Sequence, residues 1–163
     1  MRNHNCKSFY MRQSYFLILL CVLFIVSSFS SPRHSACTRS GIKGQVQLVR
    51  GNQMPSPDNI GQKPAGFKTT LYIYPLTNIS QVTRDGQSPF YSAISTNLIR
   101  QVETEADGSF KIKLKPGSYS LFVKKGELFY SNIYDGNNNI YPVEVKKGEM
   151  TEIQFKADYD AVY

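Results

Sequence analysis

The sequence predicts an all-β chain folded as a β-sandwich of two antiparallel sheets with about seven strands. Three observations carry this expectation. Beyond residue 40, apolar residues recur at every second position, the spacing of half-buried strands, and not at the spacing of an amphipathic helix. Turns containing Gly, Pro or Asp punctuate the alternating stretches at short intervals. The 163 residues, less an N-terminal leader, make one ordinary domain that can bury a core without cross-links.

The first alternation is Ile42, Gly44, Val46 and Leu48. The next is Leu71 and Ile73 within TTLYIYP, with Tyr72 and Tyr74 facing the other way. A further strand is expected in Leu98 to Thr104. Ser109 to Lys115 shows the pattern most plainly, with Phe110, Ile112 and Leu114 on one face and Lys111, Lys113 and Lys115 on the other, because successive strand side chains alternate. Tyr119, Leu121 and Val123 follow, then Tyr141, Val143 and Val145 with Glu144 and Lys146 opposite. The last set is Ile153 and Phe155, with Glu152, Gln154 and Lys156 opposite.

The turns carry expectations of their own. In Glu105-Ala106-Asp107-Gly108, Asp-Gly supplies the left-handed position of a short hairpin, so the strands on either side are expected to pair. Lys115-Pro116-Gly117 reads as a type II turn, and Lys147-Gly148-Glu149 as the turn of the final hairpin. Two stretches break the rhythm, residues 51–66 and 76–96. Both are expected as long loops, where binding residues concentrate. For Ile79 to Thr96 the alternative is a short helix or an extra edge strand.

The first forty residues hold Arg2, Lys7, Arg12, Arg33 and Arg39 and no acid, and Phe16 to Val26 is an unbroken apolar run. This is the pattern of an export signal, read as residues 1–36 ahead of a single domain over 37–163. A membrane-spanning helix needs roughly 20 apolar residues, more than this run supplies without Ser27 and Ser28. Arg2, Lys7, Arg12 and Arg33 precede Cys37, so 15 of the 19 basic residues remain against 12 acids, a net charge near +3. That balance lacks the concentrated basic stripe of a nucleic-acid binder.

Of the three cysteines, Cys6 and Cys21 lie in the leader, so Cys37 has no partner for an intrachain disulfide after processing. Ser35-Ala36-Cys37 resembles the small residues before the lipidated cysteine of bacterial lipoproteins, which implies Cys37 as a lipid attachment point. Cleavage near Ser28-Phe29-Ser30, leaving a free thiol, is the alternative. Either route places the chain in the periplasm or at the outer membrane of a bacterial envelope.

The only histidines, His4 and His34, also lie in the leader. Histidine-activated nucleophiles, histidine-bearing zinc sites and histidine acid–base chemistry are therefore excluded from the domain. No catalytic residue, metal or cofactor is expected. Glu103, Glu105 and Asp107 lie close enough for carboxylate-only hydrolysis, although acids beside a turn are ordinarily solvated. Asp135-Gly136-Asn137-Asn138-Asn139 opens like a calcium loop, but Ile140 and Lys146 stand where that loop requires Gly and Glu. Lys111, Lys113, Lys115, Lys124 and Lys125 could share a basic face, the usual role of such lysines being to keep sheets soluble. Phe90, Tyr91, Tyr130 and Tyr134 are the candidate binding residues, because large rigid rings lose little entropy on contact.

The run Thr104 to Val123, TEADGSFKIKLKPGSYSLFV, is similar to the carboxypeptidase regulatory-like domain, whose hallmark is a D-G-x-F turn and strand followed by P-G-x-Y and another strand. Gly41 to Val46 resembles that family's first strand and Thr151 to Lys156 its closing one, with 51–66 and 76–96 as insertions. The resemblance implies a prealbumin-like (transthyretin-like) sandwich, an accessory domain. The peptidase motif of the catalytic domain, His-x-x-Glu with a later His, is missing. GNQMPSP, FYSNIYDG and the terminal DYDAVY further resemble a group of small bacterial exported proteins of unknown role. The expected function is a non-catalytic structural or binding module of the cell envelope. Its partner would be an envelope protein, a glycan or a small ligand, with the membrane reached through Cys37 and no nucleic acid bound. The alternatives are a carrier of a small apolar ligand in a tyrosine-lined pocket and a carboxylate-only hydrolase.

Overall fold

Where apolar and polar residues alternate the chain is extended, and the extended segments pair into two sheets that bury their apolar faces against each other. The computed structural model describes residues 40–54 and 64–163. In chain order the strands are β1 (Gly41–Asn52), β2 (Ala65–Gly66), β3 (Thr70–Pro75), β4 (Val82–Arg84), β5 (Phe90–Ile94), β6 (Arg100–Glu103), β7 (Ser109–Lys113), β8 (Gly117–Lys125), β9 (Leu128–Tyr130), β10 (Pro142–Val145) and β11 (Met150–Val162). The smaller sheet is built on β1, with β11 parallel along one side and β7 and β2 antiparallel along the other. The larger sheet runs β4-β5-β9-β8-β3-β6, and β10 pairs with the beginning of β8.

The two-sheet all-β sandwich predicted by the sequence is what the structure shows. Among the described residues β1 and β11 run parallel, the one departure from antiparallel pairing. Short strands β2 and β9 carry too few residues to display a period. Between the sheets lie Ile42, Val46, Phe155 and Ala157 from the smaller, and Leu71, Ile73, Leu121 and Val123 from the larger, all fully buried. Each large apolar side chain removed from water contributes roughly 1.5–3 kcal/mol.

The Glu105–Gly108 turn does not close the expected hairpin, because β6 pairs with β3 in the larger sheet and β7 with β1 in the smaller. Local turn chemistry is present: Asp107 Oδ1 accepts the Ser109 N–H at 2.9 Å, Glu105 N–H reaches Ser109 O at 2.9 Å, and Gly108 has φ 80°. More distant bonds then draw the two ends to different sheets. Buried Thr104 accepts the Thr69 N–H on Oγ1 at 2.8 Å and donates from it to Phe67 O at 3.0 Å, while Val46 N–H donates to Gly108 O at 2.8 Å. Thr104→Val, which keeps the shape and deletes the hydroxyl, is expected to cost about 1–2 kcal/mol because the partly buried Thr69 amide loses its acceptor. A lowered urea midpoint at unchanged slope would show it.

The same correction applies at Lys147-Gly148-Glu149. β10 belongs to the larger sheet and β11 to the smaller, so this turn is also a corner between sheets, held by the Gly148 N–H on Ser40 Oγ at 2.8 Å. Pro116-Gly117 likewise carries the chain from β7 across to β8, with Gly117 at φ 154°. A type II turn places that glycine near 80°, so the expected turn type is not adopted. Residues 76–96 are not an open loop. They hold a 3-10 turn at Ile79–Gln81, capped reciprocally by Asn78 and Gln81, and the edge hairpin of β4 and β5. Of the stretch 51–66, Gly51 and Asn52 extend β1 and Ala65–Gly66 form β2, while 55–63 lie outside the described residues.

Candidate functional site

The larger sheet is apolar on both faces, which sets its chemistry apart from that of the smaller one. Pairing of Leu71 with Val123 and of Ile73 with Leu121 puts those four residues on the inner face. By alternation Tyr72, Tyr74, Phe122 and Lys124 lie on the outer face, together with Phe129 and Tyr91, which pair with Lys124 and with each other. Outer-face Phe122 and Tyr91 are nevertheless fully buried and Tyr74 nearly so. The segment Ser131–Tyr141 and residues 76–78 return to this face. Tyr134 bonds Tyr91 hydroxyl to hydroxyl, Thr77 N–H donates to Ser120 Oγ at 2.9 Å, and Ile140 N–H donates to Thr77 O at 2.9 Å.

The rest of the outer face is open. Tyr72 and Phe129 are half-buried and meet edge to face with centroids 5.4 Å apart. Lys124 Nζ stands 4.7 Å from the Phe129 centroid and 5.6 Å from that of Tyr72, distances at which a cation is attracted to the ring quadrupole. Ile99, Ile133 and Tyr134 are 44%, 45% and 37% exposed, the share expected of surface contacts and not of core.

Strand pairing brings the four sequence candidates together but divides them between the faces. Phe90 lies opposite Tyr130 with centroids 5.1 Å apart, and both contact Tyr159 of β11. Tyr91 and Tyr134 share the outer side through their hydroxyls. Tyr91 and Tyr130 are buried, so among the four only Phe90 and Tyr134 present surface. The alternation of TTLYIYP already marked Tyr72 as facing away from the core set. Cys37 and the leader lie outside the described residues.

Asp158 is a node that no motif announced. Between Leu48 and Arg50 the β1–β11 register slips, leaving one extra residue on β11 near Asp158. Such a bulge re-aims side chains. The Asp158 carboxylate accepts from the Tyr130 hydroxyl, from Asn132 Nδ2 at 2.6 Å and from the Tyr163 hydroxyl at 3.0 Å. Beside it, Ser131 Oγ and Asn132 Oδ1 are buried without a hydrogen-bond partner. With three donors satisfied, Asp158 acts as a latch between β11 and the larger sheet.

Burial pushes the tyrosine hydroxyls up, most at Tyr130, where the hydrogen bond to the Asp158 carboxylate adds to it, and at Tyr91, where the bond to Tyr134 does. Burial alone pushes Tyr141 up to about 12. A phenol whose folded pKa is raised stabilises the fold fully below its unfolded value near 10, and that contribution disappears as pH climbs through the folded value. Stability is therefore expected to fall between about pH 10 and 12. Circular dichroism and tyrosine absorbance followed together would show ionisation coinciding with unfolding. Tyr141→Phe, which keeps the stacking on Phe155 at 4.7 Å, should make the decline shallower.

The other candidate chemistries are committed to structure. Asp135 Oδ1 accepts the N–H groups of Asn137 and Asn139 at 2.9 and 2.8 Å, and Oδ2 accepts Asn139 Nδ2 at 2.8 Å. Those bonds, the Asn139 side chain first, hold its carboxyl below the usual range. The calcium-like spacing is thus an Asx turn, anchored by Asn78 Nδ2 on Asn137 O at 2.7 Å. Asp107 is likewise held low by the Ser109 N–H, and Glu103 sits 3.8 Å from Lys68. Among the described residues no group of three or more His, Cys, Asp or Glu could hold a metal ion.

The lysines do not form one face. Lys111 and Lys113 lie on β7 in the smaller sheet, whereas Lys124 and Lys125 lie on β8 in the larger. A depression of about 670 Å³ on the smaller sheet is lined by Lys43, Lys111, Glu152 and Gln154 around Gly44. A cleft of about 310 Å³ between β10 and β11 is lined by Val143, Glu144, Lys146, Glu149, Thr151 and Ile153. Neither contains a tyrosine. Comparison with known families, with curated proteins and with solved structures finds no match.

Proposed function

We propose that the chain is a non-catalytic recognition module of a bacterial envelope, exported by its leader and engaging an envelope protein, a glycan or a small ligand through the outer face of the larger sheet. The observation that carries this reading is the open aromatic end of that face, where the half-buried rings of Tyr72 and Phe129 meet edge to face beneath the Lys124 ammonium. Rigid aromatic surface with a polar handle suits recognition. The engagement of Asp107 and Asp135 in turn hydrogen bonds supports the non-catalytic half of the reading. The likeness of Thr104 to Val123 to an accessory sandwich domain agrees with it.

Mass spectrometry of the native protein from membrane and soluble fractions is the direct test, because it reports the cleavage point, acylation of Cys37 and copurifying molecules together. The double variant Tyr72→Ser/Phe129→Ser should remain folded and retain the copurifying molecule about tenfold less, as expected for truncated interface anchors. Unchanged retention would move the binding surface elsewhere. A catalytic activity abolished by Glu105→Gln/Asp107→Asn in a folded protein would overturn the non-catalytic reading.

A further inference from the structure

β11 is the longest strand and pairs only with β1, so among the described residues its opposite edge carries no strand. Gly41 N–H donates to Glu149 O at 3.1 Å, and the register places Gly41 opposite Met150. In a parallel ladder this directs the backbone groups of 149, 151, 153 and 155 toward β1 and those of 152, 154 and 156 outward. Gln154 O confirms the phase: it points away from β1 and accepts the Tyr141 hydroxyl at 2.9 Å. A carbonyl has two lone pairs, so a second acceptor position remains. The cleft between β10 and β11 runs beside this edge and is lined by Val143, Thr151 and Ile153.

We propose that this edge pairs antiparallel with the same edge of a second copy of the chain, on a two-fold axis through Gln154. The charge pattern selects a second copy over other extended peptides. Exposed Glu152, Gln154 and Lys156 alternate along one face. Reversal about Gln154 sets Glu152 against Lys156 of the second copy, Lys156 against its Glu152, and the Gln154 amide against itself. Opposite charges directly across an antiparallel pair are favourable and like charges are not. All three facing positions carry outward backbone groups, so the register that matches charges also matches hydrogen bonds. A two-fold pairing of this kind is isologous and closes at the dimer.

The test is the solution mass of the full chain by sedimentation across the micromolar range, for the parent and two charge reversals. The parent should dimerise. Lys156→Glu leaves the 3.1 Å Lys43–Glu152 pair intact and makes the edge all-acidic, while Glu152→Lys makes it all-basic. Each should self-associate about tenfold more weakly, because two cross-strand pairs turn repulsive at once. Mixed together, the two variants should form a heterodimer of parental affinity, which also shows that both are folded. A monomeric parent, reversals that dimerise like the parent, or a mixture that does not associate would each overturn the proposal. The outcome is independent of what the outer aromatic face binds.

Discussion

Gly44→Ala is expected to destabilise the domain by about 3 kcal/mol or more, lowering the thermal midpoint on the order of 10 °C. Gly44 sits opposite Ile153 in the parallel pairing of β1 and β11, with φ 156°. A Cβ there would lie 1.8 Å from Ile153 O and 2.8 Å from its carbonyl carbon. Backbone of a paired strand cannot swing aside as a side chain can, so the two longest strands must separate in their first third. Gly86→Ala is the control. Its φ of 64° is also unfavourable for alanine, but nothing lies within 4 Å of the added atom. That variant should lose only the left-handed conformational cost of about 1 kcal/mol. Thermal unfolding followed by circular dichroism would compare them, and equal losses would mean that the close approach of β1 and β11 is not what position 44 protects.

Asp158→Ala is expected to cost about 3 kcal/mol, because one substitution strands several donors. The Tyr130 hydroxyl is almost wholly buried and has Asp158 as its acceptor, and Asn132 Nδ2 loses a bond of 2.6 Å. Tyr130→Phe removes a single donor and leaves Asp158 with Asn132 and Tyr163, so about 1 kcal/mol is expected. Both variants keep the Tyr130–Tyr159 ring position in place, at 5.0 Å between centroids, which isolates the polar effect from packing. Chemical denaturation with unchanged slope would measure each. A loss in Asp158→Ala no larger than in Tyr130→Phe would show that the carboxylate does not latch β11 to the larger sheet.

Much of the fold is legible in single segments. The period of two over Ser109 to Lys115 names both the strand and its buried set, and Phe110 and Leu114 are buried as that pattern requires. Tyr141, Val143 and Val145 are buried in the same way between exposed Pro142, Glu144 and Lys146. Legibility fails at the turns. Asp107-Gly108 and Lys147-Gly148 carry the residues of tight reversals, and the reversals form, yet the strands they join go to different sheets. The candidate site was legible in composition and not in access: Phe90, Tyr91, Tyr130 and Tyr134 do converge, but burial of Tyr91 depends on the returning segment 131–141 and that of Tyr130 on Asp158 and Tyr159 of β11. Asp158 left no trace in the sequence, since a bulge depends on the register of two strands more than a hundred residues apart.

The sequence by itself therefore determined that the chain is extended, which side chains of each strand face inward, and where it reverses. These follow from short-range alternation and from the backbone freedom of particular residues. Only the tertiary structure decided which strands become neighbours, that β1 and β11 run parallel, and that the larger sheet is covered on both faces. The reason is physical: alternation gives every strand the same two kinds of face, and a strand edge offers the same N–H and C=O groups to any partner. The choice among partners rests on long-range contacts such as Thr104 with Thr69 and Gly44 with Ile153, which no local window of sequence contains.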